Sequence, residues 1–131
     1  MDFNNHVSLR VALRFAKIGY DLYSDIQYAK HGNEYIQSHL NIEECALLEY
    51  KFGEKLIYVP TINKGLEYIR KKGWILNVLY NKDLNSYYFI VQNKLTGYEY
   101  KQPSCPNADN EEDMYNWGFE HILNRFDNET E

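Results

Sequence analysis

At 131 residues, 44% of them hydrophobic and 25% charged, the chain has the size and apolar content for one hydrophobic core, which excludes an intrinsically disordered chain and a pair of full domains. No apolar run approaches the roughly 20 residues that span a bilayer, and Met1-Asp2-Phe3-Asn4-Asn5-His6 lacks the basic and apolar regions of a secretory signal, so a cytoplasmic protein without membrane contact is expected. The net charge of -5 is uneven, with 13 Lys/Arg against 11 Asp/Glu in residues 1–101 and Arg125 alone against 8 acids in residues 102–131, which disfavours nucleic acid as a partner of the last segment.

Ser8 stands before Leu9, Ala12, Leu13 and Ala16, a spacing that lines one helical face, and Gly19 follows where a left-handed cap would fall. A helix over residues 9–18 is predicted. Two Tyr- and Ile-bearing segments, residues 25–29 and 34–37, flank the turn residues His31-Gly32-Asn33 and predict a small hairpin. Residues 42–52 predict a second helix closed by Gly53, although Leu47 and Tyr50 blur its apolar face. Leu56, Ile57, Tyr58 and Val59 are apolar enough for a strand, inside the Gly53–Pro60 stretch that is the best seam in the chain.

Thr61 can cap a helix whose Ile62, Leu66 and Ile69 recur at helical spacing and which ends in Arg70-Lys71-Lys72 and Gly73. Three aromatic and β-branched runs, residues 74–80, 87–92 and 98–101, predict an antiparallel meander. Alternation places Trp74, Leu76, Val78, Tyr80, Tyr87, Phe89, Val91, Tyr98 and Tyr100 on its core face. Met114, Gly118, Ile122 and Phe126 mark a final helix, with Asp109 or Asn110 as cap and Glu111, Glu112 and Asp113 in a first turn whose dipole favours negative charge. The expected fold is α+β: an α-β-β-β-α unit over residues 56–126, an N-terminal helix, hairpin and helix over residues 1–55 packed on it, and a frayed tail at 127–131.

The chemistry expected of this chain is limited. Cys45 and Cys105 form no close pair and read as free thiols in a reducing compartment. His6, His31, His39 and His121 are scattered without the spacing of a zinc site. Asp109, Glu111, Asp113 and Glu120 fit the first, third, fifth and twelfth positions of a calcium loop, but Met114 occupies the position that needs glycine. Cys105 activated by His121 is the one conceivable nucleophile, with no local sequence to support it. The helix-meander-helix order matches double-stranded RNA-binding domains, but carboxylates stand where phosphate-gripping bases would be required. No glycine-rich phosphate loop is present. No catalytic residue, metal or cofactor is therefore expected.

What remains is binding to protein. Among 13 Tyr, residues Tyr23, Tyr28, Tyr35, Tyr58, Tyr68 and Tyr88 lie outside the predicted core, and tyrosine is a favoured contact residue. The expected docking residues are Glu111, Glu112, Asp113, Tyr115 and Glu120 on the acidic final helix, offered to a protein partner or to a second copy of the chain.

Val7-Ser8-Leu9-Arg10-Val11-Ala12 through Gly19-Tyr20-Asp21, and Pro60-Thr61 through Leu66-Glu67-Tyr68-Ile69-Arg70-Lys71-Lys72-Gly73, resemble a loose group of small uncharacterised proteins of Bacteroides-type bacteria, their prophages and mobile elements. The chain departs from that group at Tyr68-Ile69, where Trp-Leu is usual, and by an acidic insertion around residues 42–54. The resemblance implies a non-enzymatic accessory protein of a phage or mobile element that binds a host defence or regulatory protein. The alternative it leaves is a structural or homo-oligomeric, virion-associated subunit.

Overall fold

The computed structural model describes residues 3–102 and 110–129, with side chains described as far as Phe126. The Ser8 hydroxyl accepts the Val11 N–H and opens α1 (Leu9–Lys17), whose buried Val11, Ala12 and Phe15 form one face. The left-handed Gly19 turns the chain out of it. Strands β1 (Gln27–His31) and β2 (Glu34–Ser38) form the hairpin, and Asn41 and Glu44 make a reciprocal capping box at the start of α2 (Ile42–Lys51). The short β3 (Leu56–Tyr58) follows, then α3 (Ile62–Lys71), capped by Thr61. The meander is β4 (Trp74–Asn81), β5 (Ser86–Asn93) and β6 (Glu99–Lys101). In α4 (Glu111–Glu129), Asn110 is the cap, its side-chain oxygen accepting the N–H groups of Glu112 and Asp113.

The fold is mixed α+β, with four helices and two antiparallel three-stranded sheets ordered β2-β1-β3 and β4-β5-β6. One apolar cluster runs through both halves. In the second sheet Trp74, Leu76, Phe89 and Val91 face Met114, Phe119, Ile122 and Leu123 of α4, all withdrawn from water. There is no room for a side chain at Gly118, where a Cβ would lie 2.4 Å from a Leu76 methyl, nor at Gly65, where it would lie 2.9 Å from the Phe119 ring. The Phe15 ring meets Phe119 of α4 at 5.4 Å and Tyr68 of α3 at 6.0 Å, so the three helices join at aromatic edges.

The N-terminal strap satisfies the exposed end of α3. Val7 donates to the Pro60 carbonyl, while the carbonyls of Asn5 and Phe3 accept the N–H groups of Ile62 and Asn63. The first-turn donors of α3 are thus committed within the chain.

Three expectations change. Pairing of β1 with β3 (Gln27 opposite Tyr58, Ala29 opposite Leu56) draws residues 56–58 into the first sheet, so the division expected after residue 55 falls inside a sheet. A three-residue strand carries no pairing preference of its own, which hides this from local pattern. The final helix continues through residues 127–129, expected to be frayed. The predicted core face also thins along β4: Trp74 and Leu76 are buried, Val78 is half-buried and Tyr80 is exposed.

Candidate functional site

A groove of about 590 Å³ lies between α1 and the first sheet. Leu13 and Ala16, one turn apart beside the buried face of α1, join Ala29 and Ile57 to make an apolar floor. Lys17, Lys30 and Lys55 stand around it with His31 and Tyr35, and among the described residues Glu54 is the one carboxylate that lines it. The Lys30 ammonium lies 5.9 Å from the centre of the Tyr35 ring, its opposite neighbour in the β1–β2 register. Among the described residues, no carboxylate forms an ion pair with Lys30 or Lys55. A cationic rim over an apolar floor fits a ligand that is negatively charged and carries an apolar group.

At the start of β1, the strand that supplies Ala29, Lys30 and His31 to the groove, Gln27 is wholly buried. Its amide donates to the carbonyls of Ser24 and Leu40 (3.0 Å for the latter), and its oxygen accepts Leu40 N–H at 2.9 Å and the Ser38 hydroxyl at 3.0 Å. Every hydrogen-bonding position of the side chain is filled, fixing the strand against the loop that leads into α2.

The expected docking residues on α4 do not form one open surface. Tyr115 is buried (7% exposed) with its ring against Phe3 at 5.6 Å, a correction to its expected role. It follows Met114 in the helix and shares its inward side, which the four-residue stripe drawn from Met114 overlooked. Glu120 accepts from Arg10 Nε at 2.6 Å and lies 3.9 Å from Arg14, so its charge is engaged within the chain. Glu111 and Glu112 are half-buried and Asp113 is exposed. Because Glu111, Asp113 and Glu120 lie along a helix, with Met114 in the core, their calcium-loop spacing is a helical coincidence. Asp109 and Cys105 lie outside the described residues.

Two polar clusters were not anticipated from sequence. His121 stacks on Tyr100 (4.3 Å, 15°) and shares a 2.9 Å hydrogen bond with the Tyr98 hydroxyl, while the Arg125 guanidinium covers the Tyr98 ring at 3.6 Å. Burial, with Arg125 beside it, holds the His121 pKa below its usual value. The spacing of His121 and Arg125 at i and i+4 was the available signal. At the other cluster, His6 Nε2 meets Asp25 at 2.7 Å, and this hydrogen bond lowers the carboxyl pKa. Ser24 donates to the Val59 carbonyl and, at 3.4 Å, to Asp25 rather than to the imidazole, so the three side chains are not ordered as a Ser–His–Asp relay. Burial likewise raises the Cys45 thiol pKa, the reverse of thiolate activation. Burial, then Tyr68 and Glu67, pushes Tyr20 up to about 12.

No family model matches the chain, and neither the curated proteins nor the solved structures yield a match. Among the described residues no helix is long and apolar enough to cross a membrane.

Proposed function

We propose that the chain is a non-catalytic protein-binding module and that the groove between α1 and the first sheet receives an acidic segment bearing an apolar anchor. The supporting observation is the combination of Leu13, Ala16, Ala29 and Ile57 with Lys30 and Lys55, neither of which forms an ion pair among the described residues. The floor supplies desolvation, and the lysines supply steering and register. A wider role on behalf of a phage or mobile element rests on the resemblance of residues 7–21 and 60–73 and follows from the partner once known.

A random-peptide display selection tests this reading. The intact protein is expected to enrich sequences that join carboxylates to a large apolar residue, and Lys30→Glu with Lys55→Glu is expected to lose them. Enrichment of basic peptides instead would move docking to Glu111, Glu112 and Asp113, and no enrichment at all would refute binding of peptide segments.

A further inference from the structure

The groove fits a segment that joins carboxylates to an exposed apolar anchor, and the chain carries such a segment itself. In α2 the positions Glu43, Ala46, Leu47 and Tyr50 recur at intervals of three and four, so they lie along one side of the helix, and all four are open to water. Tyr50 is 96% exposed and Leu47 52%, so the fold leaves both large side chains of this stripe uncovered. Cys45, the one buried residue of α2, points away from it on the opposite side of the helix.

The charges of helix and groove are complementary. Residues 42–51 hold Glu43, Glu44 and Glu49 against Lys51, whereas the groove holds Lys17, Lys30 and Lys55 against Glu54. Glu44 accepts the Asn41 N–H and Glu49 the Tyr58 hydroxyl, and Lys51 lies 5.8 Å from the centre of the Phe52 ring. Glu43, at the head of the exposed stripe, forms no ion pair among the described residues, and neither do Lys30 and Lys55. The helix cannot reach the groove of its own chain. Glu49 meets Tyr58, while the groove takes Ile57, and successive residues of a strand turn to opposite faces. Tyr28 stands opposite Ile57, and Lys30 and its partner Tyr35 share that face. Helix and groove therefore lie on opposite sides of the first sheet.

We infer that the groove receives the Leu47 and Tyr50 side of α2 from a second copy of the chain, an inference that rests on the groove being a docking site for an acidic segment with an apolar anchor. An amphipathic helix laid into an apolar groove is a recurrent mode of recognition, carried by anchors at such spacings. Leu47 and Tyr50 supply the anchors for the floor of Leu13, Ala16 and Ile57, and Glu43 supplies the charge for the lysines. Because helix and groove lie on opposite sides of the sheet, the contact is head-to-tail. Each copy gives its helix to one neighbour and takes a helix from another, so association passes beyond two copies until a ring closes or a filament grows.

Sedimentation across a concentration series, with circular dichroism to confirm folding, tests this. The unaltered protein is expected to gain mass with concentration past that of a dimer. A helix variant, Leu47→Ser with Tyr50→Ser, and a groove variant, Lys30→Glu with Lys55→Glu, change exposed side chains, and each is expected to be a folded monomer. Mixed, they are expected to form a one-to-one dimer that grows no further, because the intact helix of one meets the intact groove of the other and the remaining pair is defective on both sides. An unaltered protein that stays monomeric, a variant that associates undiminished, or a mixture that stays monomeric would each overturn the inference. Peptide display on the helix variant separates the two readings. If acidic, apolar peptides are enriched there while the copies ignore one another, the groove remains a docking site and the second copy is not its occupant. Loss of enrichment together with association would remove both.

Discussion

The β4-β5-β6 sheet and the β2-β1-β3 sheet are both antiparallel and three-stranded, but their helical covers differ. On the second sheet α4 presents Met114, Phe119, Ile122 and Leu123, and none of these retains appreciable contact with water. The first sheet has α1 against β3, but its second helix, α2, buries Cys45 alone; Ile42, Leu47 and Phe52 remain exposed and Tyr50 is 96% exposed. A Tyr58–Glu49 hydrogen bond and the capping box hold α2 where packing does little. Apolar burial is the main source of folding free energy, so stability should be concentrated in the second sheet while the first is left open to rearrange around a ligand.

The largest effect that would break this comparison is at Phe119, whose ring fills the junction with Phe15 and Gly65. Phe119→Ala should cost about 3–5 kcal/mol in denaturant unfolding, whereas Cys45→Ala, a far smaller truncation beneath α2, should cost about 1 kcal/mol. Equal losses would mean that the two covers contribute alike.

A smaller change sharpens it. Asn41→Ala removes the α2 cap and should cost about 1 kcal/mol, felt locally. Amide exchange should accelerate across Ile42–Lys51 and stay unchanged in α4. Acceleration spread evenly over both helices would show that α2 opens only with the whole domain.

The elements with complete local signals were legible in the sequence, and those that depend on remote partners were not. Thr61, the Ile62–Ile69 stripe and Gly73 mark α3 by residues that act within a few positions of one another. The β4-β5-β6 alternation likewise declares its own inner face. Nothing near Leu56 says that it will pair with Ala29, and nothing near Gln27 says that the loop at Leu40 will surround its amide. The same limit applied at the candidate site. Carboxylates on α4 were visible as a cluster, but the engagement of Glu120 by Arg10, 110 residues distant, was not. The groove itself joins α1 to strands that begin ten or more positions after its end, and no linear motif spans them.

The smallest expected effect concerns pH and belongs to the better-packed sheet. His121 is enclosed by Tyr98, Tyr100, Phe89 and Arg125, and its pKa is lowered chiefly by burial and further by the Arg125 charge. As pH falls below the ordinary histidine value of about 6.5, the unfolded chain takes up a proton that the folded chain still refuses. This contribution to stability is therefore complete above about pH 6.5 and declines as pH drops toward the lowered folded-state value. His121→Phe preserves a ring against Tyr100 and removes the titration, so its unfolding midpoint should vary less with pH between about 7 and 5 than that of the unaltered protein. An undiminished slope in the variant would assign the acid sensitivity to other groups. In that case the stack of His121 on Tyr100 would serve packing alone.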